Sequence, residues 1–337
     1  MNYTAQDFKS NQEVRWCPGC GDHAVLAALQ RSLPAVAKSL GKSKEQFVVV
    51  SGIGCSSRLP YYMDTFGFHS IHGRATPIAT GLKVANPELC VWQACGDGDA
   101  LAIGGNHFIH AIRRNVDLNI ILFNNQIYGL TKGQYSPTSK FGAITKTSPY
   151  GTVENPFTPG QLVLGARGTF FARGLDADIK TNQDIFLAAA QHKGASVCEM
   201  LVNCMIFNDG AHAAISAREV RADKTITLRH GEKMIFGANN DKGIVLENGA
   251  LKAVTISKDG YTIDDILVHD AHRRDSFIHS MLIDMKDDLP VALGVIRDVE
   301  DSTYDENVEK QLQEVSAAAK IHSVDELLHS GSTWEVK

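Results

Sequence analysis

Apolar, β-branched residues gather in short runs through the first two thirds of the chain, and the stretches between them carry helical spacing. Asp22–Leu40 has apolar positions at Val25, Leu26 and Leu29 and stops at Gly41, which predicts a helix with Asp22 as N-cap. Pro34 lies inside that span and is expected to kink the helix or end it early. Phe47–Ser51 stops at Gly52, and it reads as a buried strand, as do Leu89–Ala94 and Leu118–Phe123. Helices are expected between them, around Ala75–Ala85 and Gly105–Arg114. The order strand, helix, strand, helix, strand implies right-handed crossovers and a parallel sheet. A similar unit follows, with a helix near Thr181–His192 and a strand near Ser196–Asn203. The fold class expected is α/β, an open and mostly parallel sheet with helices on both faces.

After Asp209 the pattern changes. The stretch TITLRHGEKMIFGANNDKGIVLENGALKAVTI alternates and turns as small antiparallel strands do, with NND and NGA as turn signals. The expected organisation is an α/β domain over residues 1–209 and a C-terminal extension with antiparallel strands over 210–337, packed on that domain and on a partner. From Val308 the tail is helical in character and then frays into HSGSTWEVK.

The length of 337 residues admits one large domain with additions or two modest ones, at ~100 to 200 residues per domain, and a core that needs no staples. Lys and Arg number 33 against 38 Asp and Glu, and the resulting charge of -5 argues against a nucleic-acid or anionic-membrane footprint. The amino terminus, MNYTAQDFKSNQEVRW, has no apolar signal core, and FVVV and NIILF are too short to span a bilayer. A cytoplasmic protein is expected. Its seven cysteines, an odd number, then read as buried thiols, metal ligands or catalytic groups and not as a disulfide framework.

Cys17-Pro-Gly-Cys20-Gly brings two thiols to one point in a turn just before a helix, as half of a metal site or a redox dithiol does. The polar segment before it does not suit a thioredoxin-like motif, and a zinc ribbon needs a second Cys-x-x-Cys that this chain lacks. Cys55 in SGIGCSS and Cys204 in LVNCMIFND both follow strands. They either complete a four-thiolate set, as a [4Fe-4S] cluster requires, or are small buried residues. Cys90, Cys95 and Cys198 are expected to be spectators.

Gly96-Asp97-Gly98-Asp99 follows one strand and Asn124-Asn125 the next, with 28 positions from Asp97 to Asn125. A carboxylate and an amide oxygen at adjacent strand ends are hard ligands suited to Mg²⁺, and the glycines let backbone amides approach a diphosphate. Gly-Asp-Gly alone is also ordinary turn chemistry; the pairing with Asn-Asn makes it specific. Cys55, Asp97, Asn125 and Cys204 all follow strands, so they gather on one edge of an open parallel sheet, where ligands bind.

GDG and NN at this interval are similar to the thiamine diphosphate signature. With WCPGCG, GIGCSS, HGRATPIATGLKVANP and NNQIYGLTKGQYSPTS, running in order from Trp16 to Asn208, the chain resembles the β subunit of 2-oxoacid:ferredoxin oxidoreductases. The resemblance implies a thiamine diphosphate-binding fold and one [4Fe-4S] cluster on Cys17, Cys20, Cys55 and Cys204. It implies Mg²⁺ on Asp97, Asn125 and the carbonyl of Ile127, and cofactor contacts from Ile53, Gly54, Cys55, Ser56, His72, Gly98, Asp99, Gly129 and Leu130. Lys132 reads either as a cation for the 2-oxoacid carboxylate or as a solvated loop lysine, and Arg58 as a similar cation or an ordinary ion pair.

The activity so implied is coenzyme A-dependent oxidative decarboxylation of a 2-oxoacid with reduction of ferredoxin, or the reverse carboxylation. SSRLPYYMDTFGFHSIHGR and YGLTKGQYSPTS look most like the 2-oxoglutarate branch, with pyruvate and branched-chain versions as alternatives. Only the diphosphate half of a thiamine site is present, so an α subunit is expected to supply the pyrimidine half, as αβ or (αβ)2, and this chain alone is expected to be inactive. A nicotinamide dehydrogenase fits poorly, since SGIGCSSRL offers only Gly52-x-Gly54. An iron-sulfur electron carrier without its own catalysis leaves Asp97 and Asn125 without a task.

Overall fold

Strands apolar along their whole length must be covered on both faces, and the chain meets this need with helices. The computed structural model describes residues 2–258 and 260–336. Its strands are β1 (Phe47–Ser51), β2 (Phe66–His69), β3 (Cys90–Gly96), β4 (Leu118–Asn124), β5 (Phe170–Leu175) and β6 (Ala195–Leu201), then β7 (Thr225–Leu228), β8 (Ile235–Phe236), β9 (Lys242–Glu247), β10 (Ala250–Thr255) and β11 (Val291–Asp298). Eight of them form one sheet in the order β2-β1-β3-β4-β6-β5-β11-β7, and β8, β9 and β10 form a separate antiparallel sheet. All neighbours from β2 to β5 are parallel; β11 runs antiparallel to β5 and parallel to β7. The α/β class and the small antiparallel sheet are as the sequence pattern implies.

The alternation of side chains sorts the core into two layers. Val48, Val50, Val91, Ile120 and Leu122 face helices α3 (Ala75–Ala85) and α4 (Gly105–Arg114), where Ala79, Phe108 and Ile112 are buried. Phe47, Val49, Trp92, Ile121 and Phe123 face the opposite way, towards α1 (Asp22–Leu40) and α6 (Ile179–Gln191), with Val25, Leu29, Leu33 and Phe186. Helix α1 runs unbroken through Pro34, its apolar face held by this packing. Its N-cap is Gly21, and Asp22 is the first helical residue, buried rather than capping.

Four strands of the large sheet, β2, β5, β7 and β11, depart from the sequence reading. Strand β5, FFARGL, is fully buried although it carries a charge, because Arg173 pairs with Glu199 of β6 at 2.7 Å. Strand β7, TITL, alternates as an antiparallel strand does, yet it pairs in parallel with β11 on the sheet edge. Both β7 and β11 come from beyond residue 209, so the extension contributes two strands to the main sheet. The NGA signal forms the β9–β10 hairpin, with Asn248 at φ 51° and Gly249 at φ 79°, the positive pair a tight two-residue turn requires. Helices Tyr304–Ala318 and Val324–His329 form the tail. No helix among the described residues is long and apolar enough to cross a membrane.

Within the extension, His269 ties the segment that carries it to β11. Its Nε2–H donates to the Val295 carbonyl at 2.8 Å, and burial pushes the imidazole down to about 4. A base whose folded value lies below its ordinary 6.5 contributes stability above that value and loses it as pH falls towards the folded one. Stability should therefore fall by on the order of 3 kcal/mol between pH 6.5 and 4 from this group. Urea unfolding across that range should show a shallower pH slope in His269→Gln; an unchanged slope would assign the acid sensitivity elsewhere.

Candidate functional site

The parallel register aligns the carboxyl ends of four central strands. Ser51 of β1 stands beside Ala94 of β3, Gly96 beside Phe123 of β4, and Asn124 beside Leu201 of β6. The loops leaving these ends enclose a cavity of about 440 Å³. Ile53, Gly54, Cys55 and Ser56 line it from β1, Asp97, Gly98 and Asp99 from β3, Asn125, Ile127, Gly129 and Leu130 from β4, and His72 from the loop before α3. The residues expected to contact cofactor and Mg²⁺ are thus brought to one cavity. Lys132 and Arg58 are not among its lining residues: Lys132 is exposed at φ 75° on the adjoining loop, and Arg58 Nη1 donates to the Arg15 carbonyl at 3.3 Å.

Asp97 is the buried acid of the site. Its Oδ2 accepts from Ser136 Oγ at 2.5 Å and also from Thr138 Oγ1, while burial, the larger influence, raises the carboxyl to about 6. A carboxylate desolvated this way, with no cationic side chain paired to it among the described residues, is stabilised in its charged form by a cation. Asn125 Oδ1 lies 3.2 Å from the Ile127 amide, which folds the Asn-Gln-Ile turn so that Asn125 and Ile127 share the cavity wall.

Asp99 has a different task. Its Oδ1 accepts from the amides of Gly73 at 2.7 Å and Ile53 at 3.2 Å and stands 2.9 Å from His72 Nδ1, so it ties the β1 loop to the His72 loop. The chain then passes through a π-helical turn, Asp99–Ile103, into α4, a local irregularity that recurs at functional sites. Gly98 packs so closely under Tyr128 that a Cβ there would lie 2.1 Å from the ring, and Tyr128 in turn donates to the Gly98 carbonyl at 3.1 Å.

One feature tests the cavity against a diphosphate-bearing cofactor. Ser56 Oγ is buried on its wall with no hydrogen-bond partner among the described residues, a donor awaiting an acceptor. A Cβ on Gly129 would meet Cys204 Sγ at 3.5 Å and Cys55 Sγ at 3.6 Å, ordinary contact distances that place both thiols beside this residue. The residues fit such a group.

Gly129 thus shows that Cys55 and Cys204 border this cavity. The Cys20 thiol is pushed up chiefly by burial, then by Asp22, Cys55 and Cys204; Cys55 is pushed up to about 11 by burial, Asp22 and Cys204. Cys20, Cys55 and Cys204 are therefore electrostatic neighbours, and Cys17, the exposed member, also acts on Cys55. Among the described residues no three His, Cys, Asp or Glu side chains stand close enough to grip a single metal ion. Cys90, Cys95 and Cys198 are buried apart from this group, in strands.

The sequence reading missed Tyr128, Thr131 and Gln134 as lining residues, and Ser136 and Thr138 as partners of Asp97. All five lie within or beside the NNQIYGLTKGQYSPTS segment, so the motif marked their neighbourhood but not their contacts.

Residues 46–200 match the family model of the thiamine pyrophosphate enzyme C-terminal TPP-binding domain. The 2-oxoglutarate oxidoreductase subunit KorB of Mycobacterium tuberculosis is 48% identical over 336 residues, covering 98% of this chain and 88% of that protein. The 2-oxoglutarate synthase subunit KorB of Archaeoglobus fulgidus is 47% identical over 189 residues, 56% of this chain and 69% of its own length. Among solved structures, a 2-oxoglutarate:ferredoxin oxidoreductase from Magnetococcus marinus, with 2-oxoglutarate, coenzyme A and succinyl-CoA bound, superposes with a TM-score of 0.77 at 30% identity, covering 98% of this chain and 97% of that one. A thiamine-enzyme sheet, a cavity built around Asp97 and Asn125, and identity that spans nearly the whole chain agree: this chain belongs to the KorB family of 2-oxoglutarate oxidoreductase β subunits.

Proposed function

We propose that this chain is the cofactor-holding subunit of a 2-oxoglutarate:ferredoxin oxidoreductase, which forms succinyl-CoA and CO2 from 2-oxoglutarate and coenzyme A and delivers the electrons to ferredoxin, or runs in reverse. The observation that carries the reading is the single cavity in which Asp97, Asn125, Ile127 and the partnerless Ser56 hydroxyl meet. Asp97, Asn125 and the Ile127 carbonyl would hold Mg²⁺, and the loops at Ile53–Ser56 and Gly98 would cradle the diphosphate. Thiamine diphosphate, when bound, supplies the electron sink for decarboxylation.

The protein's own contribution is placement. Asp99 and His72 fix the diphosphate loop, and Asp97, which burial makes dependent on a counter-ion, anchors the metal. Lys132 at the mouth is proposed to meet the 2-oxoacid carboxylate, with Arg58 as a second cation. Cys17, Cys20, Cys55 and Cys204 are proposed to carry one [4Fe-4S] cluster. Cys55 and Cys204 stand beside Gly129, which keeps the path from the thiamine site short. The pyrimidine half of the site is proposed to come from an α subunit, in an αβ or (αβ)2 enzyme of the cytoplasm. Calorimetric titration of the chain with thiamine diphosphate should show binding that requires Mg²⁺; absence of binding at saturating Mg²⁺ would overturn the reading.

A further inference from the structure

Behind the candidate metal site a chain of buried polar groups crosses four neighbouring strands. Ser136 and Thr138 are each 3% exposed, and both hydroxyls address Oδ2 of Asp97, just past β3. Thr138 Oγ1 also lies 2.9 Å from Asn124 Oδ1 at the end of β4. Asn124 Nδ2 donates to Glu199 Oε1 of β6 at 2.8 Å, and Glu199 Oε2 accepts from Arg173 Nε of β5 at 2.7 Å. Arg173 is itself held by the Ile283 carbonyl, 3.3 Å from both terminal nitrogens.

The orientation of this chain is determined by chemistry. A carboxylate accepts only, so Glu199 requires the amino side of Asn124, and the amide oxygen must then face Thr138. Thr138 thus has an acceptor on each side, Asn124 Oδ1 fixed in the sheet behind and Asp97 Oδ2 in front, and its single proton serves one of them at a time. Because both hydroxyls stand against the same carboxylate oxygen, the plane of Asp97 is set and Oδ1 receives neither of them.

Resting on the function proposed above, we infer that Thr138, with Ser136 beside it, is a positioning residue for the metal: it orients Asp97 so that one carboxylate oxygen is presented to Mg²⁺. It is absent from the lining of the cavity, so it acts through Asp97. Outer-shell partners of this kind change metal affinity by about 10- to 100-fold when removed.

The test measures thiamine diphosphate binding to the full chain across a Mg²⁺ series. Thr138→Val, close in shape but without the donor, should raise the half-saturating Mg²⁺ concentration by about 10- to 100-fold, with binding recovered at high Mg²⁺. Thr138→Ser should stay near wild type, and Ser136→Ala should shift the Mg²⁺ dependence in the same direction as Thr138→Val. Unfolding midpoints of each variant identify any that fails to fold, and Ser136→Ala then carries the comparison. An unchanged Mg²⁺ dependence in folded variants, or a loss of binding that saturating Mg²⁺ does not restore, would overturn the positioning role. Wild-type protein that binds no thiamine diphosphate would instead overturn the functional reading on which this inference rests.

Discussion

Asp97→Ala should abolish Mg²⁺-dependent thiamine diphosphate binding, with affinity reduced by more than the ~100-fold that losing an outer-shell partner costs. The carboxylate is 2% exposed, burial has raised it to about 6, and Asp99, the other acid on the cavity wall, is already engaged by His72 and the amides of Ile53 and Gly73. The substitution should spare the four cysteines, whose loops leave β1 and β6 and the turn before α1. Iron and sulfide content after anaerobic purification should therefore match wild type. Binding of thiamine diphosphate at wild-type affinity would remove Asp97 from the metal site.

The reciprocal substitution should have the reciprocal effect. Cys20→Ala should remove the cluster, seen as loss of iron, of sulfide and of the thiolate-to-iron absorption, and with it all electron delivery to ferredoxin. Cys20 stands at the start of α1, away from the cavity lining, so Mg²⁺-dependent thiamine diphosphate binding should persist. Cys55→Ala is expected to lose the cluster too, and also to perturb the cofactor, since Cys55 lines the cavity. Cys198→Ala serves as the comparison, because that thiol is buried in β6 and should leave both cofactors in place. Full iron content in Cys20→Ala would contradict the ligand assignment.

Much of the site was legible because it sits where strands end. The runs ending at Ser51, Gly96 and Asn124 mark their own carboxyl ends, and parallel pairing then forces the following loops together. Asp97 and Asn125 could be paired from sequence for that reason. The seat of Asp97 could not: Ser136 and Thr138 lie 39 and 41 positions away, and a loop without regular structure brings them back. Periodicity carries no information about such a return.

The fold shows the same division. Strands buried on both faces announce themselves as unbroken apolar runs, but β5 hides an arginine whose cost is offset by Glu199 on the next strand. No local window shows that partner. Strand β2 was overlooked for the opposite reason, since Phe66–His69 is exposed on the sheet edge and lacks the burial signature. Strand direction was equally hidden: β11 runs against β5 and along β7.

The most direct test of the central claim is a coupled anaerobic assay in which this chain is combined with its α partner, coenzyme A and ferredoxin, and 2-oxoglutarate is compared with pyruvate. The structure and its relatives predict succinyl-CoA formation and ferredoxin reduction only when both subunits are present, with 2-oxoglutarate preferred. Turnover by this chain alone, or a preference for pyruvate, would contradict it.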